Sequence, residues 1–513
     1  MSGLFSKHAE VVAFSATAIA LYGYDQGMMS LINTNQNYLA TMGIAEESPL
    51  VGIIVSIYYL GCAVGAIFHS WLADKAGRKP SIFSSLALSS LGNLLMFIAG
   101  LGYTKGALAV MFVGRIIMGL GVGGVDAVVT VYSSEMSSED GRGVAMAKEF
   151  QANIFGLNMA FAINLGVTQA LGKRNQWAWR IPIIAMQVYP VLLLSLIYRL
   201  PESPRWCIFH SRQDQAKESL KDMFGADQAD SKLEELEKAH EEESSHSIGY
   251  ADMLWPGSQQ WHQTSITIMG QVNQALTGYG AISVYGPQIF ELLGLGVTVS
   301  EYLTQANYVS YFILMTFAWL LIDRVGRRVL MVGGAFAIAA SFALLTIFGG
   351  LAQNESHLHI PIKPISITGT VVLFLATGAF GIGWLTQPWL IPTEIYPSTS
   401  RAQGSAISVI TWGLANFVVT LLTPILFNNL SYWLFLVFFA TNFFAAWWTY
   451  AFSPESGGRT FEDNQQFFEK AKEQGTWNVL KVDEGRFKNF PSKGKSKGQE
   501  DGEREPLLGG NHS

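Results

Sequence analysis

Apolar residues in this chain gather in long runs, rather than on one face of a helix or on alternate positions of a strand. Twelve runs stand near residues 9–32, 50–73, 80–102, 107–131, 144–169, 178–200, 262–290, 300–322, 329–351, 365–392, 403–427 and 431–452. A helix rises about 1.5 Å per residue, so each run can cross about 30 Å of hydrocarbon. A helix also satisfies its own backbone where no water is available. The pattern predicts an all-α membrane protein with twelve transmembrane helices. A polar stretch, 203–260, follows the sixth run and carries helical pieces such as Lys232-Leu233-Glu234-Glu235-Leu236-Glu237-Lys238. It predicts a cytosolic linker with short amphipathic helices. The expected organisation is a six-helix bundle at 1–200, the linker at 201–260, a second six-helix bundle at 261–455, and a largely disordered cytosolic tail at 456–513.

Loop charges set the orientation. The 2/3 loop carries Lys75, Arg78 and Lys79, and the 8/9 loop carries Arg324, Arg327 and Arg328. The 1/2 loop holds Glu46 and Glu47 without a Lys or Arg. Lys173 and Arg174 in the 5/6 loop run against this trend and are outweighed. Both termini are expected in the cytosol, with the first run a retained span rather than a signal peptide. The protein is expected to be a multi-pass plasma-membrane protein and a monomer.

The two bundles share a written pattern. Asp74-Lys75-Ala76-Gly77-Arg78-Lys79 returns as Asp323-Arg324-Val325-Gly326-Arg327-Arg328, 249 positions later (323 minus 74). Glu135 with Arg142 is echoed by Glu394 with Arg401, and Pro201-Glu202-Ser203 by Pro454-Glu455-Ser456. Three echoes in one order predict a duplicated half-molecule, hence two pseudo-symmetric bundles. These residues, with Arg205, all fall on the cytosolic side. Positive-inside topology explains the Lys and Arg but not the matched acids. The acids suggest a cytosolic gate of Asp74, Arg78, Glu135, Arg142, Arg205, Asp323, Arg327, Glu394, Arg401 and Glu455, holding the halves together in one state.

Composition narrows the function classes. Of 513 residues, 14% are charged, against about 25% in ordinary soluble domains. The net charge of -6 lies in tails and loops and does not point to nucleic acid. The two cysteines, Cys62 and Cys207, offer neither a disulfide framework nor a metal spacing. No nucleotide loop, nucleophile elbow or metal constellation is present, so no enzyme, cofactor or metal is expected.

Glycine and proline fall in spans 1, 4, 7 and 10, at matching places in the two halves: Gly23 and Gly27; Gly119, Gly121, Gly123 and Gly124; Gly278, Gly280, Gly286 and Pro287; Gly378, Gly381, Gly383, Pro388 and Pro392. Interrupted helices in matching places mark a central transport site. Close packing by small residues is the competing reading. Charges inside spans cost about 2.5–3.5 kcal/mol each and are usually functional. Asp25 in span 1 and Arg115 in span 4 both lie about 10–12 Å below the outer surface and can pair. The pair is either a structural bridge or a proton switch. Asp126 and Glu149 lie nearer the cytosol and are expected to join its charge network.

With these motifs the chain resembles the sugar-porter family of the major facilitator superfamily, its fungal members in particular. The resemblance spans residues 10–465. It is carried by Gly23-Tyr24-Asp25-Gln26-Gly27, the repeated Asp-x-x-Gly-Arg knots, Gly114-Arg115, Trp179-Arg180-Ile181-Pro182, Pro201 to Trp206, Glu394-Ile395-Tyr396-Pro397 with Arg401, and Pro454-Glu455-Ser456. It implies alternating access by two rocking bundles, with a monosaccharide or polyol as substrate. An Asp at position 25 with Arg115 implies proton coupling. For the sugar site it implies Gln274, Tyr285, Trp389 and Asn416, with Gln151 beside the fifth-span position that Phe150 fills. The chain departs from the family at Ala275, Gly280, Tyr311 and Trp412, where the family carries amides. Losing an amide that reads a sugar hydroxyl costs about 1–3 kcal/mol. Gln151, Asn158, Gln271, Asn273 and Gln387 can replace those groups, or else the substrate is not a common hexose.

The resulting expectation is secondary active sugar or polyol transport with proton symport. A facilitator in which Asp25 and Arg115 are only structural is the alternative. A nutrient sensor ranks last, because the resemblance implies longer cytosolic tails for sensors.

Overall fold

The computed structural model describes residues 7–45, 48–102, 105–136, 142–244, 250–258, 260–354, 361–397, 400–457 and 461–482. Helices stand at all twelve predicted runs, and no strand occurs among the described residues. The first half holds α1 (Lys7–Ile32), α2 (Pro49–Ala76), α3 (Arg78–Ile98), α4 (Ala107–Met136), α5 (Arg142–Leu171) and α6 (Gln176–Met186 continued by Val188–Leu196). The second half holds α7 (Trp261–Leu276 and Tyr279–Leu292), α8 (Val297–Leu314 and Thr316–Val325), α9 (Arg327–Gln353), α10 (Ile362–Phe380 and Gln387–Ile395, joined by π-turns at Gly381–Leu385), α11 (Arg401–Leu430) and α12 (Leu434–Phe452). By length and composition, nine stretches among the described residues can cross a membrane, and the last of them, Gln403–Phe452, takes in both α11 and α12.

Glycine works differently in the two halves. α1 and α4 run unbroken, so the expected interruptions are absent there. Their glycines instead let backbones touch. A Cβ at Gly23 would stand 1.9 Å from the Asn153 carbonyl oxygen of α5, and one at Gly123 would stand 2.1 Å from that of Cys62 on α2. In the second half the interruptions are real. α7 breaks at Gly278, whose φ is 83°, and α10 unwinds at Gly381–Leu385. The halves meet where α2 packs along α11, α5 along α8 and α1 along α7.

The linker carries helices at Pro204–Phe209, Gln213–Phe224, Ala226–Ser244 and Tyr250–Leu254. Part of the expected disordered tail is folded. Phe461–Glu473 is a helix, and Asn464 and Gln465 donate to the carbonyls of Glu394 and Ile395 at 3.3 and 2.9 Å. Beyond it, the Val479 N–H bonds the Ala451 carbonyl at 2.8 Å and Trp477 stacks on His262. Apolar side chains at 467, 468, 479 and 482 bury themselves there, a pattern too short to stand out in a polar tail. Residues 483–513 and the acids at 46–47 lie outside the described residues.

Candidate functional site

Depth arithmetic along two helices places Asp25 opposite Arg115, and the side chains do meet. The Arg115 guanidinium donates to Asp25 Oδ1 at 2.5 Å, and the two side chains are 1% and 2% exposed. Its other nitrogens donate to the Ile54 and Val55 carbonyls of α2, each at 3.2 Å, and the group lies 4.6 Å over the Tyr58 ring. A bridge this enclosed is held by geometry: if one partner leaves, the other is stranded as an unpaired charge.

One turn from Asp25 along α1, toward the N-terminus of that helix, an aromatic box spans both halves. Trp412 of α11 meets Tyr22 of α1 edge-on at 5.1 Å, Tyr59 of α2 at 5.3 Å and Trp389 of α10 at 5.7 Å. Phe150 of α5 lies 5.5 Å from Trp389. Trp389 and Trp412, both named as candidates from the sequence, thus share one cluster. Tyr22 and Tyr59 went unnoticed in the sequence, where they look like ordinary span aromatics. Gln26 donates to the Tyr22 hydroxyl at 2.7 Å and adds a polar edge.

The candidate amides are committed elsewhere. Gln274 donates to the Trp384 and Leu385 carbonyls, at 2.6 and 3.0 Å, which the unwinding of α10 leaves without helical partners. Gln151 bridges the halves, donating to the Phe312 carbonyl and the Thr316 hydroxyl, both at 3.1 Å, beside the break in α8. Asn158 donates to the Tyr308 carbonyl at 2.8 Å along the same seam. Gln271 donates to Ser408 at 2.7 Å and Gln387 to the Ile382 carbonyl at 2.7 Å. Asn416 donates to the Trp412 carbonyl at 2.9 Å, and its Oδ1 lies 3.3 Å from where a Cβ on Gly280 would stand. Tyr285 sits at the α7 kink, buried, facing Phe427. Tyr311 packs in the second half against Tyr279 and Phe380. Asn273 differs: it is buried, and neither side-chain polar atom has a hydrogen-bond partner among the described residues.

At the end of the molecule that carries the 2/3 and 8/9 loops, the repeat seen in the sequence is a repeat in space. Arg78 bonds both Glu135 oxygens, at 3.1 and 3.0 Å, and reaches Asp74 at 3.0 Å. Glu202 accepts the Arg78 and Lys79 backbone N–H groups at 3.0 and 3.2 Å, capping α3. In the other half Arg327 bonds Glu394 at 2.8 Å and Asp323 at 2.9 Å, and Glu455 accepts the Arg327 and Arg328 N–H groups at 2.8 and 3.1 Å. Burial pushes the Glu202 and Glu455 carboxyls above the ordinary glutamate range, against the backbone N–H groups that favour their charge. Glu135 pairs with Arg78 and Glu394 with Arg327, each the arginine of the knot in its own half. The ion pairs of Arg78 and Arg327 with Asp74, Glu135, Asp323 and Glu394 all close within one half. Across the halves, Gly143 backs onto Asp323 and Arg327, and Lys148 lies 5.2 Å over Trp319. Arg205 lies within electrostatic reach of Glu135, Arg401 is partly buried, and the Arg142 side chain is outside the described ones.

The opposite end of the molecule carries a cross-half pair that the charge pattern did not suggest. Lys173 of the 5/6 loop reaches Glu301 of α8 at 2.6 Å, and Gln169 donates to the same carboxylate at 3.3 Å. Its signal was the loop lysine that broke the positive-inside trend. Among the described residues, Asp126 and Glu149 do not bond to the Arg78 and Arg327 clusters. Asp126 is 2% exposed with no hydrogen-bond partner for either oxygen among the described residues, and Glu149 accepts the Ser133 hydroxyl.

The family model described as "Sugar (and other) transporter" matches residues 11–468. Among curated relatives, the MFS-type transporter oryC of Aspergillus oryzae is 30% identical over 89% of this chain and 85% of its own length. The sugar transporter STL1 of Saccharomyces cerevisiae is 29% identical over 91% and 82%. Among solved structures, the proton:xylose symporter XylE bound to 6-bromo-6-deoxy-D-glucose superposes with a TM-score of 0.77, at 22% identity, over 90% of this chain and 99% of that one. At that identity the likeness is one of fold.

Proposed function

Since the chain belongs to the sugar (and other) transporter family, we propose that it moves a monosaccharide or polyol across the membrane by alternating access, coupled to proton symport through Asp25 and Arg115. The observation that carries this reading is the enclosed Asp25–Arg115 pair set one turn above an aromatic box built from both halves. Aromatic faces take the C–H faces of a sugar or polyol ring or chain, and the halves can part around them. With many amides spent on helix breaks, the box favours a compact substrate that shows few hydroxyls at once. A proton arriving at Asp25 removes the charge that holds Arg115, which frees α1 and α4 to move. The protein acts as a monomer in the plasma membrane, with twelve crossings and both termini cytosolic.

The test is proteoliposome transport with simultaneous pH recording, wild type against Asp25→Asn. Coupling gives substrate-driven proton uptake and accumulation, both lost in the variant while substrate exchange survives. Equilibration of substrate by wild type with no pH change would identify a facilitator instead.

A further inference from the structure

We propose that Asp126 and Glu149 form the inward half of a proton relay, carrying the coupled proton from Asp25 along α4 to the cytosol; this rests on the symport reading above.

Three buried carboxylates meet α4 at three depths. Asp25 is held by Arg115, Asp126 belongs to α4 itself, and Glu149 accepts the hydroxyl of Ser133. Positions 115, 126 and 133 descend one helix, so at about 1.5 Å per residue the stations lie about 16 and 10 Å apart. Glu149 sits at the cytosolic end, 6% exposed. Asp126 is the informative one, because it is buried and neither oxygen has a hydrogen-bond partner among the described residues.

A carboxylate excluded from water is stable only as the neutral acid or with a cation at hand. As packing it is a liability, since an apolar residue of that size would serve α4 better. Among the described residues, the surrounding elements place no hydrogen-bonded cation on it. Tyr22 of α1 and Tyr58 and Cys62 of α2 lie within its electrostatic reach. His69 of α2 sits on the other flank of α4, against Gly124, where α3 presents Ser85 and Ser89 against Gly124 and Gly121. α11 packs on α4 and carries no ionisable residue beyond Arg401. α5 brings Lys148, turned over Trp319, and Glu149. Arg205, within reach of Glu135, and Cys207 lie on the helix Pro204–Phe209, and Tyr38 on the short helix Gln36–Met42. Tyr58 links the upper stations, because its ring carries Arg115 and its hydroxyl feels both Asp25 and Asp126.

The transfers balance without a further reactant. Asp126, protonated at rest, first gives its proton to the Glu149 carboxylate, which releases it to cytosolic water. An O–H bond then breaks at protonated Asp25 and one forms at the momentarily ionised Asp126, through the intervening hydroxyls and water. Asp25 recovers its charge and its bond to Arg115.

The experiment uses full-length protein in proteoliposomes, in wild type, Asp25→Asn, Asp126→Asn, Asp126→Glu and Glu149→Gln. Proton uptake, accumulation and substrate exchange are recorded for each. Exchange needs no net proton movement. The relay predicts that Asp126→Asn keeps exchange but loses accumulation, with proton uptake down about 100-fold, the low end for loss of a proton-transferring group. Asp126→Glu restores uptake, and Glu149→Gln slows it. Full accumulation in Asp126→Asn overturns the relay and leaves the Asp25 reading standing. Loss of exchange together with accumulation makes Asp126 structural and overturns the relay as well. Absence of proton uptake in wild type defeats the symport reading and the relay with it. Separately, dicyclohexylcarbodiimide, which modifies protonated carboxyls in apolar surroundings, should label Asp126 in wild type; an unlabelled Asp126 contradicts a proton-bearing station.

Discussion

Replacing Gly326 by alanine tests the Asp323–Arg328 knot at its tightest point. Gly326 has φ 100° and ψ 155°, a conformation essentially confined to glycine, and an L residue held there costs about 1–3 kcal/mol. The added Cβ would stand 2.4 Å from Glu455 Oε2. The carboxylate must then withdraw from the Arg327 and Arg328 N–H groups that it accepts at 2.8 and 3.1 Å. Each such bond to a charged acceptor contributes about 1.5 kcal/mol or more. Together the two effects come to about 4–6 kcal/mol, or about 10–20 °C of melting temperature for a half-molecule of this size. Gly77 is the matching site, with φ 111° and a Cβ 2.7 Å from Glu202 Oε2, so Gly77→Ala should lose nearly as much. Gly333 inside α9 is the control: nothing lies within 4 Å of its Cβ position. Alanine there should raise helix stability by up to about 1 kcal/mol. The assay is tryptophan-fluorescence melting of purified protein in detergent, with surface level checked in cells. If Gly326→Ala melts together with wild type or with Gly333→Ala, the strain and capping argument is wrong.

Trp412→Ala opens the box where Tyr22, Tyr59 and Trp389 meet it and removes the ring face proposed for the substrate; losing one aromatic contact of about 1.4 kcal/mol should raise KM about 10-fold at normal surface level, and an unchanged KM would remove the box from the substrate path. Glu202 and Glu455 have folded values above the ordinary glutamate value of 4.5, so folding takes up protons there. Their contribution to stability is full below that pH and falls as pH rises through the folded values, and a Glu202→Gln/Glu455→Gln protein should show a flatter decline of melting temperature with pH; an identical slope would contradict the burial argument. Lys173→Ala leaves Glu301 buried without its cation and should loosen the outer seam. A cysteine placed at Gln305, one turn deeper on α8, should then react faster with a membrane-impermeant maleimide, against a low background because Cys62 and Cys207 are buried; equal rates would mean the pair does not hold the seam.

Much of this molecule is one-dimensional and could be read as such. Run length dictates helices that cross hydrocarbon, because only their backbone is satisfied there. The doubled knot reports two related halves, and the structure repeats it nearly atom for atom, from the Glu202 cap to the Glu455 cap. Even the Asp25–Arg115 contact follows from position along two helices, since residues at one depth on neighbouring spans can meet.

Rotation and packing decided the rest. The same glycine signal is backbone contact in α1 and α4 but a true break in α7 and α10, because only the neighbouring chain determines whether a missing Cβ is filled by another backbone or relieves a kink. Glu135 and Glu394 take the arginines of their own knots, which lie far off in sequence but beside them across the bundle. Gln274 and Gln151 carry the right chemistry for a sugar, yet carbonyls freed by broken helices claim their N–H groups. Asp126 has the same letter and the same burial as Asp25, but among the described residues no side chain bonds it. Sequence fixes how deep a group lies in the membrane; which partner it finds at that depth depends on how the helices turn toward one another.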